Sequence, residues 1–85
     1  MSIHLKTVEA SLTDTIKKAV EDAIEDAQVE VNGGNGHFTI SVVAPFFEGK
    51  NMLQSQRAVL QSIKHLMDGP NAPVHAVDSI STKAP

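Results

Sequence analysis

The sequence predicts one α/β (α+β) domain with the order helix–strand–strand–helix–strand, in which the helices pack on one face of a three-stranded mixed sheet. Apolar residues recur at three- and four-residue steps over 11–27 and 50–70, as they do on the buried face of a helix. Apolar and polar residues alternate over 27–33, 37–44 and 74–82, as in half-buried strands. A chain of 85 residues has room for one domain, 1–85, with an ordered core expected over about 11–82.

The first helix should pack on the sheet through one apolar face, formed by Leu12, Ile16, Ala19, Val20, Ala23 and Ala27. Its polar face carries the lysines and carboxylates of the same segment. Glu25 and Asp26 meet the negative end of the helix dipole, so we expect the helix to fray there.

The next two alternating segments predict a β-hairpin. Val29 and Val31 share one face of the first strand, and the segment "NGGNG" at 32–36 is typical of a turn, because Asn and Gly adopt positive φ at low cost. In the second strand the buried face should be formed by Phe38, Ile40, Val42 and Ala44. Pro45 cannot donate to the strand ladder and should end this strand.

The second helix is predicted to begin after a capping Asn51 and to stop before Gly69 and Pro70. Its first turn could form a separate short helix. The positions expected to face the core are Leu53, Gln56, Leu60, Ile63 and Met67, with Val59 and Leu66 beside them.

Two histidines are predicted to share one edge of the sheet. The second and third strands flank a helical crossover, so they should be parallel and begin at the same end. His37 begins the second strand and His75 begins the third. Two imidazoles there are able to ligate a metal or cluster whose other ligands come from a partner. The alternative is two ordinary surface or capping histidines.

Composition excludes several classes of function. The chain has no Cys, so it lacks a thiolate nucleophile and thiolate ligands of its own. No serine lies in a nucleophile motif, and the paired carboxylates lie only on the solvent face of the first helix, so we do not expect an enzyme or a small-molecule substrate. No apolar run is long enough for a membrane helix, and the first residues do not resemble a signal peptide, so we expect a cytoplasmic protein.

A basic stripe is the second candidate site. Lys50, Arg57 and Lys64 recur every seven residues and are predicted to line one side of the second helix, where they could contact nucleic-acid phosphates. A solvated helix face is the alternative, and the net charge of −3 favours it.

The segment "HFTISVVAPFFEGKNMLQSQRAVL", followed by "VHAV", resembles the BolA-like family. The resemblance consists of His37-Phe38 opening a strand, the F-x-G motif Phe47-Glu48-Gly49 before a helix, and His75-Ala76 opening the last strand. It spans about residues 12–82. No single motif is specific, but their order and spacing together are.

This resemblance implies a class II KH-like fold, α-β-β-α-(α)-β, and a partnership with monothiol glutaredoxins in handling iron–sulfur clusters. In such complexes a [2Fe–2S] cluster bridges the two proteins, with sulfur ligands from the glutaredoxin and its glutathione. His75 matches the family's late histidine ligand, and His37 is the candidate for the ligand from the loop between the first two strands. Some family members are described as DNA-binding regulators of stress and morphology, which is the alternative function.

The sequence departs from the family pattern in the second helix and the last strand. Ser55-Gln56 stand where an Arg-His pair is common, and Arg57 is retained. The last strand is one residue longer than usual, and strict alternation from His75 would put Ser79 on the core face. A β-bulge near Asp78-Ser79 would return Ile80 to the core.

Overall fold

The computed structural model of the protein describes residues 8–85, with side chains from residue 12 onward. The elements follow the predicted order, with one short 3-10 helix added between the second strand and the second helix. Their bounds are α1 Val8–Ala23, β1 Gln28–Gly34, β2 His37–Val43, the 3-10 helix Pro45–Phe47, α2 Met52–Met67 and β3 Ala76–Lys83.

The sheet has the order β1-β2-β3. β1 and β2 are antiparallel, whereas β2 and β3 are parallel, with α2 in the crossover between them. This arrangement confirms the predicted α+β class and the mixed sheet. The KH-like designation stays a prediction.

The hairpin turn is shorter than predicted, because β1 continues through Gly34. The two-residue loop is Asn35-Gly36, with φ of 55° and 81°. Positive φ at both loop positions matches the type I′ turn, whose twist suits the twist of the flanking strands.

The core lies between the two helices and one face of the sheet. Phe38, Ile40 and Val42 alternate into it from β2. From α1, Ile16 and Val20 are fully buried, and Ile24 just beyond the helix is nearly so. Ala23 was expected on this face but is exposed; Ile24, whose amide still donates to the Val20 carbonyl, continues the four-residue step from Ile16 and Val20 into the core.

The predicted core face of α2 is confirmed at Ile63 and Val59 but wrong at Leu53 and Leu60. Its buried residues are Ser55, Val59 and Ile63, one helical turn apart. Leu53 is 58% exposed and Leu60 is 37% exposed. The helix carries two adjacent apolar stripes, and the sheet covers the one that contains the small residue Ser55.

A capping box fixes the start of α2. The Asn51 side chain accepts a hydrogen bond from the Gln54 amide at 2.8 Å, and the Gln54 side chain accepts one from the Asn51 amide at 3.2 Å. Asn51 is therefore the N-cap, as predicted. Lys50 lies outside the helix as a consequence.

The predicted bulge is present in β3. Phe38 pairs with Val77 and Thr39 pairs with Ser79, which leaves Asp78 as the extra residue. The register then continues with Ile80 opposite Ile40, and Ile80 packs against the core. The extra residue of the last strand is thus absorbed without moving the apolar side chains to the wrong face.

Within residues 8–85, no helix has the length and apolar character needed to cross a membrane.

Candidate functional site

Both histidines singled out in the sequence lie at the same end of the sheet. His37 is opposite Ala76 in the parallel ladder, next to His75 in the chain. The amides of His75 and Ala76 both donate to the carbonyl oxygen of Gly36, at 2.8 and 2.9 Å. The two histidines are therefore diagonal neighbours on paired segments, as the parallel topology predicts.

His75 lies against Gly36. A Cβ atom placed on Gly36 would lie 2.6 Å from Nδ1 of His75 and 2.7 Å from its Cγ. Both distances are shorter than the non-bonded contacts that Cβ atoms make in proteins. The imidazole thus occupies space that only a glycine at position 36 leaves open. Nε2 lies farther from Gly36 than these atoms, and the residue is exposed.

His37 lies on the sheet face that the helices leave uncovered, since its neighbour Phe38 points into the core. Nδ1 of His37 is 3.2 Å from Oδ1 of Asp78, the bulge residue of β3. Both side chains are 57% exposed. Nε2 has no part in this bond, so it is the nitrogen that remains for a ligand.

The donor set at this edge is incomplete for a metal. In the part of the chain whose side chains are described, no group of three or more His, Asp or Glu residues is placed to hold a metal ion. Two exposed imidazoles supply at most half of the four terminal ligands that a [2Fe–2S] cluster takes. Within the described residues, therefore, the two imidazoles do not complete a metal site, and any metal or cluster held here would need further ligands from elsewhere.

The basic stripe is only partly formed. Lys50 precedes the Asn51 cap, and its ammonium lies 4.2 Å from the centre of the Phe46 ring in a cation–π contact. The prediction that Lys50 lines the second helix is wrong, because the cap starts the helix two residues later. Arg57 and Lys64 do lie on α2, two turns apart, and Lys64 forms an exposed ion pair with Asp68 at 3.5 Å.

Two adjoining hollows lie beside the histidine edge, along the exposed side of α2. The first, of about 400 Å³, lies between α2 and β3 and is lined by Gln56, Leu60, Val77, Asp78, Ser79 and Ile80. The second, of about 530 Å³, is lined by Arg57, Leu60, Gln61, Lys64, Met67 and Asp68. Leu60 lines both hollows, so it lies at the centre of a surface that begins at Asp78.

The side-chain amide of Gln56 links α2 to β3 beside these hollows. Its Nε2 donates to the carbonyl oxygen of Ile80 at 3.1 Å, which ties α2 to the outer edge of β3. Gln56 was predicted to face the core with the leucines. It is half-buried and instead satisfies an edge-strand carbonyl that would otherwise lack a ladder partner.

Sequence reasoning missed two residues of the site, Gly36 and Asp78. The sequence predicts Gly36 only as a turn residue, because the approach of His75 is a tertiary contact that local sequence does not encode. Asp78 was placed at the bulge, but its pairing with His37 was not foreseen. The sequence signal for this pair is a carboxylate at the predicted bulge, two residues after Ala76, which pairs with His37.

The family model for BolA-like proteins matches residues 3–85 of the chain. The chain belongs to the BolA-like family. No curated protein matches it significantly.

Solved structures agree with this assignment. A bolA protein homologue from Coxiella burnetii is 30% identical, with a TM-score of 0.73 over 86% of this chain and 90% of that chain. BolA1 from Mus musculus is 27% identical, with a TM-score of 0.66 over 100% of this chain and 75% of that one. BolA1 from Arabidopsis thaliana is 20% identical, with a TM-score of 0.71 over 86% and 90%, and supports the fold alone.

Proposed function

We propose that this protein is a non-enzymatic adaptor that binds a monothiol glutaredoxin and shares a bridging [2Fe–2S] cluster with it. His75 and His37 are the proposed ligands from this chain. The observation that carries the proposal is the placement of two exposed imidazoles at one sheet edge, with His75 fitted against Gly36. Family membership supports it, because the BolA-like resemblance implies this partnership.

The donor chemistry supports a shared site rather than a resident one. The chain has no cysteine, and iron–sulfur clusters are held mainly by thiolates. Sulfur ligands must therefore come from the glutaredoxin and its glutathione. Imidazole in place of thiolate at part of the site raises the cluster potential, which suits a cluster that is passed on or sensed.

The surface beside the histidines supports partner binding. Leu60 is partly exposed between the two hollows, and Arg57 and Lys64 lie beside it. Protein interfaces are enriched in Arg and bury apolar side chains at their centre, which suits Leu60 with Arg57 beside it. We place the glutaredoxin against this surface, with its cluster-bearing end toward His37 and His75.

DNA binding through α2 is the second candidate, and the observations support it less. Of the three basic residues, Lys50 lies over Phe46 and Lys64 pairs with Asp68. Arg57 and Lys64 also alternate along α2 with exposed leucines, whose apolar side chains make no favourable contact with phosphate. If DNA is the ligand, binding should weaken steeply with salt, and Arg57→Gln with Lys64→Gln should reduce that dependence.

The adaptor proposal is tested by reconstitution with a monothiol glutaredoxin, glutathione, ferrous iron and sulfide. Visible circular dichroism and native mass should reveal a heterodimer with one cluster and a spectrum distinct from that of the glutaredoxin alone. His75→Ala should abolish or alter this spectrum, whereas His65→Ala, a histidine in the last turn of α2, should leave it unchanged. A spectrum that always equals that of the glutaredoxin alone would sink the proposal.

A further inference from the structure

We propose that Asp78 is a positioning residue for His37, which holds its imidazole in the Nδ1–H tautomer and presents Nε2 to the cluster. This inference rests on the proposed function and names the device that prepares one of its ligands. It concerns the side-chain pair at the β3 bulge, where Nδ1 of His37 and Oδ1 of Asp78 are 3.2 Å apart.

The direction of this hydrogen bond follows from chemistry. An ionised carboxylate has no proton to give, so it accepts. Nδ1 of His37 must therefore carry the hydrogen and donate it. In a neutral ring, Nε2 is then the atom with the free lone pair. Free imidazole side chains in water favour the opposite tautomer, with the hydrogen on Nε2, which cannot ligate a metal through that nitrogen.

The bulge is what brings the carboxylate to this place. Val77 and Ile80 both pack against the core, and the extra residue lets Asp78 and Ser79 both lie between them on the exposed side. A regular strand would supply only one residue there. The insertion thus adds a carboxylate next to His37 while the apolar register of β3 stays intact.

A purely structural role does not account for this pair. Both side chains are more than half exposed, and surface ion pairs of this kind contribute little to folding stability. Histidine ligands, by contrast, commonly donate their second ring N–H to a carboxylate, which fixes the tautomer and the ring orientation. His37 and Asp78 have the geometry of such a histidine and its carboxylate acceptor.

The first test needs no cluster. Nitrogen-15 NMR of the free protein at alkaline pH, where imidazoles are neutral, distinguishes the two tautomers from the shifts and couplings of each ring nitrogen. We expect His37 to be mainly Nδ1–H, and Asp78→Ala to move it toward Nε2–H. Asp78→Asn should retain much of the Nδ1–H form, because its amide oxygen still accepts. The matched control is Asp68→Ala, which removes a carboxylate paired with Lys64.

A His37 that is mainly Nε2–H in the unchanged protein, or that is unaffected by Asp78→Ala, would overturn the positioning role. The circular dichroism melt of each variant shows that the fold is retained. This result is read whether or not a cluster forms, so its failure is separate from failure of the adaptor proposal.

The second test measures cluster retention in the heterodimer by competition with an iron chelator. Loss of a positioning partner typically weakens metal binding 10- to 100-fold. We expect Asp78→Ala to release the cluster about tenfold faster, and to add nothing when His37→Ala is already present. An effect of Asp78→Ala that is as large without His37 as with it would overturn the assignment of Asp78 to that ligand.

Discussion

The imidazole of His75 occupies the space where a side chain at Gly36 would stand, and its backbone amide donates to the Gly36 carbonyl. Gly36 belongs to the β1–β2 turn and His75 to the start of β3. One residue of the hairpin turn thereby sets the position of the His75 ring at the start of β3.

Gly36→Ala should displace the His75 ring, because the new Cβ would lie 2.6 Å from Nδ1. Gly49→Ala is the matched control, since its φ of 80° equals that of Gly36 within a degree and nothing lies within 4 Å of its added Cβ. Both variants should lose about 1–3 kcal/mol of unfolding free energy from positive φ, with Gly36→Ala at least as affected. Urea unfolding measures this loss.

Only Gly36→Ala should also shift the NMR resonances of the His75 ring and weaken cluster sharing. Unchanged His75 resonances in Gly36→Ala, against the wild type and Gly49→Ala, would contradict the contact.

Leu60→Asp should weaken glutaredoxin binding at least tenfold, or about 1.4 kcal/mol, because Leu60 lies between the two hollows beside the histidines. Leu53→Asp is the control on the same helix, since Leu53 is exposed but lines neither hollow. Isothermal titration with the partner measures both affinities. Equal losses for the two variants would place the partner elsewhere on the molecule.

Ile63→Ala should cost about 2–5 kcal/mol of unfolding free energy, because Ile63 is fully buried between α2 and the sheet. Leu53→Ala should change it by less than about 0.5 kcal/mol, because that side chain faces solvent. Chemical denaturation of the two variants therefore reports whether Leu53 shares the core with Ile63. A loss in Leu53→Ala as large as that in Ile63→Ala would show that Leu53 packs in the core, as periodicity predicts.

Deletion of Asp78 should leave a folded protein, because Val77 and Ser79 already pair with consecutive residues of β2. Cross-strand NOEs should still join Ile80 to Ile40, and the His37 ring should lose its carboxylate partner. A slip of β3 by one residue, with Ile80 moved to the exposed face, would show that the bulge is required for register.

The topology and the bulge could be predicted from the sequence because period-two alternation leaves little freedom. Val77 and Ile80 can both reach the core only if one extra residue lies between them. The edge shared by His37 and His75 follows from the same parallel crossover. These inferences depend on backbone geometry, which the pattern of apolar residues constrains.

The face of α2 could not be predicted in the same way. Leu53 and Leu60 are more hydrophobic than Ser55, yet Ser55 is 3% exposed and they are not buried. Periodicity identifies an apolar side but cannot choose between adjacent stripes, because the choice depends on how closely the helix packs on the sheet. The pairs His75–Gly36 and His37–Asp78 could not be predicted either, because each joins segments about 40 residues apart in the sequence.

The central claim is that imidazole nitrogen from this chain ligates a cluster held with a glutaredoxin. The most direct measurement is pulsed electron paramagnetic resonance of the reduced heterodimer, with histidine nitrogen-15 in this protein alone and an unlabelled partner. The account predicts strongly coupled nitrogen-15 that is lost in His75→Ala and retained in His65→Ala. A cluster that forms in the heterodimer without any such coupling would contradict it.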